Sequence, residues 1–170
     1  MRAHRPRRSR NSERRAAPTN ALLMRLQISS DPSLLSVVRG ALERLTETLG
    51  FSAPDCRSVT RAVDEALTNI MRHCYGGRLD GPIDIFCSRL RPRSEVGFGS
   101  GLEILLSDRG PAIDPSKLHG RQLDDVKPGG LGLHLIQQSM DAVEYRRVRG
   151  ANRVRLVKYF PLTEQRQVSG

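Results

Sequence analysis

The sequence predicts an α+β fold, a two-layer α/β sandwich in which helices cover one face of a mostly antiparallel sheet. Two early segments carry apolar residues at helical spacing, and a third such segment follows residue 130. Shorter apolar or alternating segments, bounded by Gly, Pro and Asn, lie before, between and after them. The last two of these follow one another across a short turn, which indicates a β-hairpin and therefore antiparallel pairing.

The first half of the chain is expected to form two strands and two helices. Residues 21–29 alternate apolar and polar side chains, which is typical of a strand. Asp31 followed by Pro32 is typical of a helix start, and Gly50 of a helix end. The expected elements are a strand at 21–29, a helix at 31–50, a helix from 54 or 55 to about 75, and a strand at 82–90.

The second half is expected to add a strand, a long connection, a helix and the hairpin. The expected elements are a strand at 101–107, an irregular connection over 108–128, a helix over 131–140, and strands at 143–148 and 153–160. Gly150, Ala151 and Asn152 are interpreted as the hairpin turn. A connection as long as 108–128 in a compact domain is usually a functional lid or disordered.

The length and composition predict one domain. A chain of 170 residues can bury a proper core, and since aromatic residues are few and tryptophan is absent, Leu, Val and Ile must fill it. We expect residues 20–161 to form this domain, with disordered tails at 1–19 and 162–170. Three cysteines without a CxxC spacing predict neither a disulfide framework nor a zinc site, and they fit a reducing, cytoplasmic setting. No apolar run approaches transmembrane length, so no membrane partner is expected.

The net charge of +10 is concentrated at the N-terminus. Residues 1–17 hold seven arginines and one acidic residue, so the remaining chain carries only about +4, which is unexceptional. The basic tail could contact nucleic acid or an acidic surface, or it could be a solvated extension or the product of an upstream start codon, and the last two together are favoured. Nothing after residue 20 offers a basic face interleaved with aromatics, so no specific nucleic-acid partner is expected.

Three polar side chains form one column on the predicted second helix. Glu65, Asn69 and His73 recur every four residues, beside an apolar stripe that must be buried. An amide oxygen suits Mg²⁺, and a carboxylate one turn away could accept a proton from an attacking hydroxyl. Asp64 is the rival carboxylate, but it lies about 100° around the helix and does not share the column. On this helix alone, an ordinary half-exposed polar face is the commoner interpretation.

Two further elements could meet that column at a nucleotide. Asp108 ends an apolar strand, is followed by Arg109 and Gly110, and could accept a hydrogen bond from an exocyclic amine. The glycine-rich segment 129–132 opens a helix, where backbone N–H groups can approach an anion closely. Each of these segments alone is more often a simple turn, and neither is a Walker A or GxGxxG motif.

Taken together, the three elements resemble the N, G1 and G2 boxes of the GHKL ATPase superfamily, and within it the anti-sigma-factor serine/threonine kinases of bacteria. The matching segments are DEALTNIMRHCY at 64–75, DRGPAID at 108–114 and GGLGLHLI at 129–136, continued by MDAVEY at 140–145. The likeness covers about residues 20–161 in the same order. Ala112 departs from it, because a second glycine is often found there in the G1 box.

The resemblance implies a site for ATP and Mg²⁺. Glu65 would be the general base, Asn69 would bind Mg²⁺ and His73 would lie near the phosphates. Asp108 would recognise the adenine amine and Gly110 would shape the adenine pocket. The implied phosphate contacts, beneath a lid over about 115–128, are Gly130, Leu131 and Gly132.

The resemblance also implies partners. Members of this group phosphorylate a serine or threonine of a small antagonist protein, many bind and silence a sigma factor, and a homodimer is suggested. Arg39, on the first helix, lies about where the family uses an arginine toward its protein partners. The alternative function is a nucleotide-binding switch that regulates a phosphatase or another partner without phosphorylating it.

Overall fold

The computed structural model describes residues 20–91, 100–112 and 131–160. The expected tails at 1–19 and 162–170 and most of the connection after Asp108 therefore lie outside the described residues. The elements, in chain order, are β1 (Ala21–Ser29), a 3-10 turn (Pro32–Leu34), α1 (Leu35–Thr48), α2 (Ala53–Asn69), a π-helical turn (Ile70–Cys74), β2 (Pro82–Leu90), β3 (Gly101–Asp108), α3 (Leu131–Ser139), β4 (Ala142–Val148) and β5 (Ala151–Tyr159). Within these ranges no helix combines the length and apolarity needed to cross a bilayer.

The five described strands form one sheet in the order β1-β2-β3-β5-β4, and every neighbouring pair is antiparallel. The sheet and the helices share one hydrophobic core. Alternate residues of the three central strands point into it, because successive side chains of a strand face opposite sides of the sheet. These residues are Ile83, Ile85 and Cys87 of β2, Leu102, Ile104 and Leu106 of β3, and Val154 and Leu156 of β5. The α+β sandwich expected from the sequence is confirmed.

Helix α2 is the central helix of this layer. Its N-cap is Ser52, whose Oγ accepts a hydrogen bond from the backbone N–H of Asp55. Val59, Ala62, Val63, Ala66 and Leu67 are buried along one side. The helix contacts both α1 and α3, so its remaining sides are shared between two neighbouring helices.

The end of this helix differs from the expectation of one continuous α-helix to about residue 75. The α-helical hydrogen bonds stop at Asn69, and Ile70–Cys74 forms a π-helical turn. The N–H of Tyr75 then donates to the carbonyl of Ile70, five residues earlier. This turn is wider than an α-helical one, so the helical geometry changes between Asn69 and His73.

The hairpin turn also differs from the expectation. The turn consists of Arg149 and Gly150, with φ values of 49° and 83°, and Ala151 and Asn152 already belong to β5. Positive φ at both central residues is the geometry that two-residue hairpin loops favour, because it matches the twist of the strands. Asn152 consequently lies directly opposite Asp108 in the sheet.

Candidate functional site

Glu65 and Asn69 lie side by side on α2 and face the start of α3. Both side chains are half-buried, and Asn69 Nδ2 donates to Glu65 Oε1 at 3.4 Å. A Cβ added to Gly132, in the first turn of α3, would lie 2.6 Å from the carboxyl carbon of Glu65 and would overlap its Oε1. A side chain at this position would therefore displace the Glu65 carboxylate or the start of α3.

Asp64 faces a different neighbour from Glu65. Its Oδ1 lies 3.2 Å from Arg39 Nε on α1, as an ion pair that lacks hydrogen-bond geometry. The Arg39 side chain remains 49% exposed, so it lies on the surface of α1 and is ion-paired there. Of the two neighbouring carboxylates, Glu65 alone contacts Gly132, whereas Asp64 is directed to the α1 side.

His73 is exposed and lies in the π-helical turn that follows Asn69. Among the described residues it makes no hydrogen bond or ion pair with Glu65 or Asn69, which are paired with each other.

Asp108 carries the buried carboxylate of the site. The residue as a whole is 1% exposed. Its Oδ1 accepts hydrogen bonds from the N–H of Gly110 and from Asn152 Nδ2, both at 2.8 Å. Its Oδ2 is buried and has no hydrogen-bond partner among the described residues. A buried carboxylate oxygen without a donor is costly, so this atom is suited to accept a hydrogen bond from a ligand.

Gly110 packs against the C-terminal end of the helical segment that begins with α2. A Cβ at this position would lie 2.6 Å from the Cβ and 2.7 Å from the backbone oxygen of Cys74. Burial and, second, the neighbouring Asp108 carboxylate raise the pKa of the Cys74 thiol to about 12. Cys74 is therefore a neutral packing group beside Asp108 and has little thiolate reactivity.

The helical segment thus contacts both glycine elements. Glu65 contacts Gly132 and Cys74 contacts Gly110, nine residues further along. At the helical rise per residue, this separation is roughly 13 Å. An extended ligand that reaches both ends of the segment could contact a buried carboxylate at one end and a helix N-terminus at the other.

The sequence did not indicate Asn152 and Arg147, which hold the loop after Asp108. Asn152 Nδ2 also donates to the carbonyl of Pro111 at 2.9 Å, and its Oδ1 accepts from Arg147 Nη1 at 2.6 Å. Arg147 Nη1 lies 3.2 Å from the carbonyl oxygen of Gly110, to which it also donates. One feature of the sequence could have indicated Asn152. It lies two positions before Val154 and therefore shares the face of the closing strand that carries the buried apolar residues.

Three of the expected parts of the site lie outside the described residues: Gly130, the lid at 115–128 and the side chain of Leu131. Among those described, no group of three or more His, Cys, Asp or Glu side chains could hold a metal ion. A site for Mg²⁺ does not need such a group, since this ion is usually shared between one or two protein oxygens, phosphates and water.

The sequence over residues 28–158 matches the family described as the histidine kinase-like ATPase domain. This chain belongs to that family. The same range contains all the described elements of the site, from Arg39 to Asn152, so the family match and the local geometry concern the same part of the chain.

The sequence is also similar to bacterial proteins named serine-protein kinase RsbW. The relative from Oceanobacillus iheyensis is 29% identical over 130 residues, which cover 70% of this chain and 75% of the relative. The relative from Listeria innocua is 32% identical over 120 residues, covering 70% and 76% respectively. The fold is similar to a crystal structure of the RsbU and RsbW domains of Rv1364c from Mycobacterium tuberculosis, with a TM-score of 0.53 and 14% identity over 81% of this chain and 32% of that one.

Proposed function

We propose that this chain is an ATP-dependent protein serine/threonine kinase that acts as an anti-sigma factor and phosphorylates a small antagonist protein. The observation that supports ATP binding most directly is the buried Asp108, whose Oδ2 lacks a donor while its Oδ1 is held in place. The 6-amino group of adenine supplies such a donor. Membership of an ATPase family and kinase-named relatives agree with this assignment.

Each residue of the site has a role in this proposal. Asp108 and Gly110 bind the base, and Gly132, with Gly130 and Leu131, offers backbone N–H groups to the phosphates. Asn69 Nδ2 is directed to Glu65, so its Oδ1 is free to bind Mg²⁺. His73 is retained only as a residue near the phosphates, on the exposed side of the π-helical turn.

Glu65 is the proposed general base. When bound, ATP supplies the phosphoryl group that is transferred to the partner's hydroxyl oxygen, leaving ADP. Glu65 takes the proton from that hydroxyl, and its half-buried position beside Asn69 holds the carboxylate at the start of α3.

Arg39 is the proposed contact for protein partners, where a partner's carboxylate would compete with Asp64 for the guanidinium. The sigma factor, the antagonist and a homodimer are proposed on the resemblance to the kinase group.

The test is transfer of labelled phosphate from ATP to a cognate antagonist, measured beside ATP affinity. We expect Glu65→Gln to lower the transfer rate about 100-fold or more while ATP affinity changes little, because general base catalysis typically contributes a factor of 10² to 10⁴. Glu47→Gln, which changes an exposed carboxylate on α1, is the matched control, and this variant should transfer phosphate at the normal rate. Normal transfer by Glu65→Gln would exclude this residue as the base. ATP binding without transfer to any antagonist would instead favour the non-phosphorylating switch.

A further inference from the structure

The side chain of Asn152 is buried and fully hydrogen-bonded within the site. Its Nδ2 donates to Asp108 Oδ1 and to the carbonyl of Pro111, and its Oδ1 accepts from Arg147. An amide has two N–H donors and one carbonyl oxygen, so this set uses all of its groups. A buried amide with all its partners is a rigid element, because any rotation would leave a polar group unpaired.

Arg147 determines which way this amide points. A guanidinium only donates hydrogen bonds, so the carbonyl oxygen of Asn152 must face Arg147 and the NH₂ group must face Asp108. Arg147 also donates to the carbonyl of Gly110, and thereby links strand β4 to the loop that follows Asp108.

The consequence for Asp108 is that its two oxygens differ. Oδ1 receives two donors, from Gly110 and Asn152, whereas Oδ2 receives none from the described residues. The plane of the carboxylate is therefore fixed, and one acceptor is aimed in a constant direction. Without Asn152, Oδ1 would keep only the bond from Gly110, and the direction of Oδ2 would no longer be fixed.

We propose that Asn152, oriented by Arg147, is a positioning residue that makes the base pocket select purines with a 6-amino group over purines with a 6-oxo group. This inference rests on the proposed binding of ATP at Asp108. A 6-amino group donates to the fixed Oδ2, but a 6-oxo group presents a second acceptor to it, which is repulsive. When the carboxylate is free to rotate, both the attraction for the amine and the repulsion of the oxo group are weakened.

The test is the affinity of the full chain for ATP and for ITP, each with Mg²⁺, measured by isothermal titration. We expect Arg147→Ala and Asn152→Leu to lower the ratio of ATP affinity to ITP affinity at least tenfold, mainly by weakening ATP. Arg153→Ala is the matched control, because this exposed arginine follows Asn152 on the opposite face of β5, and it should keep the wild-type ratio.

Two variants are used so that the test still gives a result if one of them does not fold. Asn152 is buried, but Arg147 is exposed, so Arg147→Ala should fold even if Asn152→Leu does not. If Asn152 and Arg147 had a merely structural role, both variants would bind ATP and ITP more weakly by the same factor. The ratio of the two affinities would then stay unchanged, and this result would overturn the inference. Wild-type protein that binds ATP and ITP equally would overturn it too, while leaving ATP binding intact. Wild-type protein that binds neither nucleotide would refute the proposed function itself.

Discussion

Glu65 and Asp64 are adjacent in the sequence, but they contact different helices. The 100° step between helical neighbours directs Glu65 to Gly132 and Asp64 to Arg39 on α1. This difference follows from local helical geometry, so it could be predicted from the sequence once the helix was recognised. It is also the reason why only Glu65 is assigned as the proposed base.

Gly132→Ala should impair the site with little effect on the rest of the fold. The added Cβ would overlap the Glu65 carboxylate, so Glu65 or the start of α3 must move. We expect phosphate transfer to fall at least tenfold in a kinase assay. Gly40→Ala on α1 is the control, because its Cβ meets nothing within 4 Å, and it should raise stability by about 0.5–1 kcal/mol. Normal transfer by Gly132→Ala would show that the contact with Glu65 is not needed.

The position of Asp108 at the end of an apolar strand could be predicted at the residue scale, but the contacts of Asn152 could not. Asp108 follows an apolar strand, which is a local signal. The partners of Asn152 come from the register of β5 against β3 and β4, which pairs it with Asp108 and Arg147. That register depends on a turn in which Arg149 adopts a positive φ, and arginine is not a residue type that indicates such a turn.

At the scale of elements, the helical segment formed by α2 and the π-helical turn positions the site. The start of this segment was predicted at residue 54 or 55, one or two residues after its observed start at Ala53, because proline is common in the first helical turn. The change to π-helical geometry after Asn69 could not be predicted. The apolar residues at 66, 67, 70 and 71 are compatible with a continuous α-helix as well as with a π-helical turn.

The N-cap of α2 should contribute measurably to stability. Ser52 Oγ accepts from the N–H of Asp55 and donates to the Asp55 carboxylate at 2.6 Å. Ser52→Ala removes both bonds and should lower the free energy of unfolding by about 0.5–2 kcal/mol in urea titrations. Ser52→Asp restores an acceptor for the N–H and should recover part of this loss. Equal stability of Ser52→Ala and wild type would mean that the cap is not important for this helix.

At the scale of the whole molecule, one buried core connects the sheet to the helices that hold the site. The layer arrangement could be predicted from the alternation of apolar residues and the hairpin, because both are periodic signals over many residues. Which loops meet at Asp108 depends on strand order, which the sequence did not reveal.

The core should lose stability at alkaline pH. Burial raises the pKa of the Cys87 thiol from 9.0, and that of the Tyr145 hydroxyl from 10.0, in each case to about 12. The unfolded chain therefore releases these protons before the folded one, and stability falls as pH rises from about 9 to about 12. Urea titrations under reducing conditions should show this fall, with a shallower slope in Cys87→Ala. A free energy of unfolding that stays constant over this interval would contradict the assignment of these groups as buried and neutral.

The central claim is that Asp108 recognises adenine at one end of a site along the α2 segment. Isothermal titration of ATP with Mg²⁺ tests it most directly, in wild type, in Asp108→Asn and in Asp84→Asn, a control on β2 that is ion-paired with Arg25. We predict that wild type and Asp84→Asn bind ATP, and that Asp108→Asn binds at least tenfold more weakly. Wild-type protein that gives no heat and no thermal shift with ATP, or Asp108→Asn that binds as tightly as wild type, would contradict the claim.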